Sequence, residues 1–282
     1  MSARPLFSPF VQLKAGSEKP PILLTHGMCG RASFSELAQH IQTEHPIYGI
    51  QAKGVYGTEE PFERVEDMAE FYLDALKELQ PQGPYALIGY SFGGLVALEM
   101  AQRLSQRGKD IALLVLVDAY PHPRQLAPGQ RLRLAVQRTR RHISEMRRRS
   151  VPAAISYFMH GLARRLRLID ADNRSTQLPE TSRSTFARTN LSVKDSAFAA
   201  FRRYRPGFYR GKIKFVKSAS DSYFPADPVA VWENLAAEFE VEMVPGSHTD
   251  MVTTDFKGLA AVLTRYVGGS LCGNKLEKGT IE

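Results

Sequence analysis

Cysteine is scarce. The 282 residues hold two, Cys29 and Cys272, far apart in the chain. That argues against a disulfide scaffold or a cysteine-built metal site and fits a reducing, cytoplasmic setting. Long apolar runs are also lacking. No stretch of about 18 uncharged apolar residues occurs, so no transmembrane helix is expected. The first residues, Met1-Ser-Ala-Arg-Pro-Leu-Phe-Ser-Pro-Phe, have no apolar core of a signal peptide. No internal repeat is visible. With 43% hydrophobic and 23% charged residues, the composition suits a soluble globular protein.

Acidic residues are scarce in one segment. Residues 121–210 carry 20 Lys or Arg, 19 of them Arg, against 5 acids. This segment is therefore +15, and with a whole-chain charge of +8 the remainder is −7. A mildly acidic body carries a strongly basic insert.

What is present centres on Gly89-Tyr90-Ser91-Phe92-Gly93-Gly94. An apolar run, Tyr85 to Ile88, precedes it and a helical pattern from Leu95 to Ala101 follows. Strand, Gly-x-Ser-x-Gly, then helix is the context of a nucleophile elbow. The sharp turn strains the serine backbone and lifts its hydroxyl clear of the sheet. Gly89 and Gly93 let strand and helix approach closely. The motif alone arises by chance in about one chain in ten of this length, so its weight comes from the flanking strand and helix.

Along the chain, Ile22-Leu23-Leu24 reads as a strand ending in Thr25-His26-Gly27-Met28-Cys29-Gly30. Ser33 is a candidate cap for a helix over Phe34 to Ile41. A short strand follows at Ile47 to Ile50. Residues 62–79 form an amphipathic helix pattern with Val65, Met68, Ala69, Tyr72, Leu73, Leu76 and Leu79 on one face. Residues 111–117 are almost wholly apolar, as in a strand buried on both faces, and end at Asp118. After about 90 residues the alternation resumes with a strand at Lys212 to Ser218. A helix near Val229 to Glu238, a strand at Phe239 to Val244 and a helix from Phe256 to Val267 complete it. The alternation predicts a mostly parallel α/β sheet with helices on both faces. The expected division is a core over 1–120 and 211–268, an insert over 121–210 packed across the strand ends, and a flexible tail over 269–282.

A serine nucleophile needs a base, and the base needs an acid to hold it. There are seven histidines. His26, His40 and His45 precede Ser91, and His122, His142 and His160 lie at the edge of the insert or inside it. His248 sits in a loop directly after a late strand, which favours it as the base over a solvated loop histidine. Two acids fit: Asp118 and Asp221 both end strands, and either could equally be a turn or cap aspartate. The oxyanion hole should be two backbone N–H groups, Phe92 after the nucleophile and Met28 in the early loop. Cys29, beside Met28, reads as a filler rather than a reactive thiol.

The stretch Gln80-Pro-Gln-Gly-Pro-Tyr-Ala-Leu-Ile-Gly-Tyr-Ser91-Phe-Gly-Gly-Leu-Val-Ala-Leu-Glu-Met-Ala101 resembles the thioesterase domains of non-ribosomal peptide and polyketide synthases. So do Leu116-Val-Asp118-Ala-Tyr-Pro121, the opening loop and Gly246-Ser-His248. The likeness covers roughly 5–120 and 205–268, and the insert only by position. His26-Gly27 departs from it and looks more like general hydrolases. The resemblance implies an α/β-hydrolase fold and an attack by Ser91 on an acyl thioester of a carrier protein's phosphopantetheine arm. Water or an internal nucleophile would then release the chain. Asp118 matches the acid of thioesterases fused at the ends of synthases, and Asp221 that of many discrete, editing-type ones and of most general hydrolases; Asp118 is preferred. The insert becomes a helical lid over an acyl channel. No cofactor or metal is implied. No carrier-protein serine motif precedes the domain, so a free-standing protein is expected.

The arginine-rich insert reads most simply as a solvated face with a greasy underside. Docking of an acidic carrier protein near it is the favoured functional reading. A peripheral membrane contact ranks below that. Nucleic acid is not expected, because no binding module accompanies the charge. Two other functions stand beside the thioesterase. One is a carboxylesterase or acyltransferase, the other a non-catalytic binding protein on the same fold.

Overall fold

Three apolar runs form the middle of the sheet: β2 (Ile22–Thr25), β4 (Tyr85–Tyr90) and β5 (Ile111–Val117). Around them lie β1 (Phe10–Lys14), β3 (Ile47–Ile50), β6 (Tyr209–Ser218) and β7 (Ala236–Val244). The helices are α1 (Ser35–His40), α2 (Val65–Leu79), α3 (Phe92–Gln106), α4 (Pro128–Arg147), α5 (Thr185–Arg203), α6 (Val229–Trp232), α7 (Asp250–Thr253) and α8 (Phe256–Leu271). The computed structural model describes residues 7–31, 34–147, 185–220 and 224–271.

The strand order is β1-β3-β2-β4-β5-β6-β7. Only the pairing of β1 with β3 is antiparallel among the described strands. Successive side chains of each central strand serve opposite faces. Leu23, Leu87, Leu114 and Leu116 join the core formed with α2 and α3. Ile22, Leu24, Ala86, Ile88, Leu113 and Val115 join the core formed with α1, α7 and α8. That two-sided burial is why these strands read as unbroken apolar runs. On α2, Val65, Met68, Ala69, Tyr72, Leu73 and Leu76 are buried at helical spacing. Each of the large aliphatic side chains contributes about 1.5–3 kcal/mol by leaving water.

Several expected boundaries move. The antiparallel edge strand β1 has no counterpart in the sequence reading. The helix expected from Val229 to Glu238 is one turn, α6, because the chain joins the sheet at Ala236, opposite Tyr209. Likewise β6 begins at Tyr209, so the last two residues of the expected insert belong to the sheet. Helix α8 runs on through Gly269 and Ser270, and Leu271 packs against the core, so the expected tail begins as helix. Helix α1 starts at Ser35 with Phe34 at its cap and no side-chain cap bond; Ser33 lies outside the described residues. Among the described residues no helix is long and apolar enough to cross a membrane.

Trp232 anchors α6. It is fully buried, and its Nε1–H donates to the Ala119 carbonyl, 3.1 Å away, one residue beyond Asp118. Trp232→Ala should remove about 3–5 kcal/mol of stability through the cavity it leaves. Urea denaturation followed by circular dichroism would read this, since the chain has no other tryptophan. A loss under about 1 kcal/mol would mean that this corner repacks freely.

Candidate active site

Ser91 ends the turn between β4 and α3 with φ 55° and ψ −123°, a left-handed backbone for a residue with a side chain. The glycines around it explain how the turn closes. A methyl group on Gly89 would collide with the backbone of Gly93 and Gly94, and one on Gly93 with the carbonyls of Thr25 and His26. The strand, the helix and the loop after β2 thus meet at one point, possible only without side chains there. As the first residue of α3, Phe92 has an N–H with no acceptor inside the helix.

His248 lies in the loop between β7 and α7. Its Nε2 is 3.0 Å from Ser91 Oγ and its Nδ1 is 2.7 Å from Asp118 Oδ2. The carboxylate can only accept from Nδ1–H, which leaves Nε2 free to accept the serine proton. Asp118 is fully buried and also takes a left-handed φ of 47° as the chain leaves β5. Ser218 Oγ, at the end of β6, donates to the same Oδ2 at 3.1 Å. Ser91, His248 and Asp118 therefore form one hydrogen-bonded chain across three loops. Asp221 lies outside the described residues.

Three contacts around the imidazole escaped the sequence reading. The Tyr90 ring stacks on it at 5.0 Å, and the Tyr90 hydroxyl donates to the His248 carbonyl at 2.9 Å. The Phe224 ring leans on it at 4.6 Å. Gln137 of α4 holds that segment, donating to the Phe224 carbonyl at 3.0 Å and accepting from the Ala226 N–H at 3.1 Å. Burial pushes the Tyr90 phenol well above its usual range, with the nearby Asp118 charge adding to this. Tyr90 was legible as part of the motif. Phe224 and Gln137 carry no local signal, since only the folded chain brings them to His248.

The loop after β2 runs beside the elbow: a side chain on Gly27 would touch the Tyr90 ring at 3.3 Å. Met28 and Cys29 form the tight turn from Gly27 to Gly30, closed by the Gly30 N–H on the Gly27 carbonyl at 3.1 Å. Met28 is half-buried against the core. Cys29 is exposed, so it fills no space in the interior, contrary to the reading from sequence; the turn directs its side chain to solvent. His26 is buried, and burial lowers its pKa from 6.5 to about 4.

That shift makes a stability prediction. The unfolded chain binds a proton to His26 below about pH 6.5, while the folded chain resists until about pH 4. Stability should therefore fall as the pH drops through this window, by roughly 3 kcal/mol from this group. His26→Asn should flatten the pH dependence of the urea midpoint between these limits. An unchanged slope would place the acid sensitivity elsewhere.

Helix α5, the last part of the basic insert, packs against the loop after β2 and against α3. Val193 of α5 packs over Gly30 and Ala52, at the carboxyl ends of β2 and β3. Gly30 has φ +72°, and any side chain there would strike Val193, so no other residue serves. Phe201 of α5 meets the Phe92 ring edge-on at 6.4 Å and His122 at 5.0 Å. At the end of α5, the Tyr204 hydroxyl donates to Glu99 Oε2 at 2.9 Å, tying the helix to α3. Among the described residues, no group of three or more His, Cys, Asp or Glu gathers as metal ligands would.

A family model described as thioesterase domain matches residues 20–266. A dimodular nonribosomal peptide synthase of Bacillus subtilis (strain 168) is 40% identical over 111 residues, 39% of this chain and 5% of that protein. An atromentin synthetase of Tapinella panuoides is 37% identical over 117 residues, 41% of this chain and 12% of that one. The chain thus spans a small part of these curated relatives. Among solved structures, the NocB thioesterase domain in covalent complex with a fluorophosphonate nocardicin G analog aligns with a TM-score of 0.61 at 21% identity. That alignment covers 90% of this chain and 96% of the other. The type II thioesterase BorB from the borrelidin biosynthetic cluster aligns at 0.62 and 19%, covering 93% and 98%. Identities this low speak for the fold, an α/β-hydrolase. With the family model extending over most of its length, the chain belongs to the thioesterase domain family, hydrolases that act on thioesters.

Proposed function

We propose that the chain releases an acyl, polyketide or peptidyl group from the phosphopantetheine thioester of a carrier protein, in secondary-metabolite synthesis. The observation that carries this is the chain Ser91 Oγ to His248 Nε2 and His248 Nδ1 to Asp118 Oδ2, at 3.0 and 2.7 Å, on a strained elbow. The names of the relatives and neighbours supply the substrate class.

In this reading His248 Nε2 takes the proton of Ser91 Oγ as Oγ bonds to the thioester carbonyl carbon. The carbonyl oxygen becomes an oxyanion, received by the N–H groups of Met28 and Phe92. The intermediate collapses, the C–S bond breaks, and the thiolate leaves with the proton from His248. A thiol with a pKa of about 8.5 leaves readily. Water, or a hydroxyl or amine of the bound chain, then attacks the ester with His248 again as base. No metal or cofactor enters any of these steps.

Intact mass after mixing with a carrier-bound acyl thioester tests it, comparing wild type with Ser91→Ala. An acyl adduct or fast release only in the wild type is expected. Turnover of small esters without turnover of the carrier-bound thioester would instead favour a carboxylesterase.

In this reading the carrier protein docks against the arginine-rich face of α4; Arg133 and Arg140, exposed two turns apart, support it. Carrier proteins are acidic, so opposite charge would steer the encounter. Replacing Arg133 and Arg140 together with glutamate should raise KM for a carrier-bound substrate about tenfold at low salt. The same acyl group on a small thiol should be turned over normally. Equal losses on both substrates would argue against docking there.

A further inference from the structure

Of the buried groups that this mechanism leaves idle, His26 has the most specific surroundings. It is the first residue after β2 and is almost wholly buried. Its Nδ1 lies 2.6 Å from the Gly27 carbonyl, which can only accept, so Nδ1 carries the proton. Its Nε2 lies 3.1 Å from the hydroxyl of Tyr72, fully buried on α2. Burial keeps that phenol protonated, so it donates and Nε2 accepts. The Gly27 carbonyl therefore sets the tautomer, and the Tyr72 hydroxyl completes it by donating to the remaining lone pair on Nε2.

The Gly27 carbonyl receives two donors, His26 Nδ1–H and the Gly30 N–H at 3.1 Å. The carbonyl and the following N–H belong to one planar trans peptide and point in opposite directions. Holding the Gly27 oxygen on the His26 side turns the Met28 N–H the other way. That N–H has no hydrogen-bond acceptor among the described residues. The loop that carries it presses on the elbow at Gly93 and Tyr90. An ordinary buried histidine would need only to satisfy its own two nitrogens. Here the acceptor chosen is the one peptide oxygen whose orientation sets the Met28 amide.

We infer that His26, held between the Gly27 carbonyl and the Tyr72 hydroxyl, is a positioning residue that holds the Met28 N–H toward the oxyanion formed at Ser91. This rests on the proposed role of Met28 and Phe92 as the two oxyanion donors. It makes His26-Gly27 a working part of the site, where the resemblance had marked those residues as a departure.

The test uses near-isosteric replacements in the full chain. His26→Leu removes the donor, and His26→Asn keeps an N–H at the position of Nδ1. Single-turnover and steady-state rates are measured on an acyl thioester, with the rate of Ser91 phosphonylation by a fluorophosphonate. Losing an oxyanion donor costs about 100-fold or more in kcat. His26→Leu should approach that loss with KM within about threefold, as expected when only transition-state binding is lost. Phosphonylation should slow in parallel, and His26→Asn should recover at least about tenfold of the rate. A folded His26→Leu enzyme at wild-type kcat, or His26→Asn no faster than His26→Leu, overturns the inference. Should His26→Leu not fold, Tyr72→Phe carries the test. It keeps the buried ring but removes the donor that anchors Nε2, so wild-type kcat there overturns the inference, and a loss of several-fold at constant KM supports it. Ser91→Ala separates the two levels. If it still turns over substrate, the nucleophile assignment fails; if it is inactive while His26→Leu is not slowed, only the role of His26 fails.

Discussion

Ser91→Ala is expected to lower kcat on a carrier-bound acyl thioester by about 10⁶-fold while leaving binding of that substrate within a few-fold. The size follows from the geometry. Among the described residues, Ser91 Oγ is the hydroxyl that His248 Nε2 reaches, at 3.0 Å. A water in its place would lack the fixed position that the turn gives the hydroxyl. The turn also makes a second, independent readout available. At φ 55° any side chain is strained, and the strain costs about 1–3 kcal/mol. Ser91→Gly should therefore be as inactive as Ser91→Ala yet more stable by about 1 kcal/mol. Single-turnover hydrolysis and denaturant midpoints on the two variants check both halves. A Ser91→Ala enzyme within a hundredfold of wild type would remove Ser91 from the chemistry. Equal stability of the two variants would mean that the elbow is relaxed.

The strands read most directly from the sequence are those whose burial is two-sided; β3 and most of β6 and β7 are read as well, from their place in the strand–helix alternation. Ile22–Thr25, Tyr85–Tyr90 and Ile111–Val117 show two-sided burial as unbroken apolar runs, and nothing else in the chain competes with them. Strand β1, Phe-Val-Gln-Leu-Lys, sits at the sheet edge with no fully buried residue, so its pattern is too faint to declare a strand. The stretch from Glu233 to Glu238 has good helix formers, yet pairing with β6 overrides their propensity from Ala236 onward.

The site divides in the same way. The elbow is a local motif, so Ser91 and Phe92 announce themselves. His248 is found only by its position after a late strand. Neither Asp118 nor Asp221 differs locally from a cap aspartate, so the preference for Asp118 rests on the resemblance and not on the residues alone. The clamp on the imidazole by Tyr90 and Phe224, and the bond from Ser218 to Asp118, are contacts between loops distant in sequence. The pairing of β5 with β6 at Val117 and Val216 does place Ser218 beside Asp118, but register cannot be read from either strand alone.

Asp118→Asn is expected to lower kcat by about 10⁴-fold with the fold intact. The carboxylate accepts from His248 Nδ1–H at 2.7 Å and from Ser218 at 3.1 Å through the same oxygen. An amide can turn its NH2 toward Nδ1. The imidazole then shifts its proton to Nε2, where it can no longer receive the serine proton. An amide also carries no charge to stabilise the imidazolium that forms as Ser91 attacks. Both effects fall on acylation, so the acyl-enzyme should form slowly while KM for the thioester changes little. The pair Asp118→Asn and Asp221→Asn, assayed for acylation on the same substrate, decides which carboxylate holds the base. Asp221→Asn should remain within a few-fold of wild type, because the hydrogen bond to Nδ1 is already made by Asp118. If the large loss follows Asp221→Asn and Asp118→Asn stays within tenfold of wild type, the acid is Asp221. The buried Asp118 would then be a structural partner of Ser218.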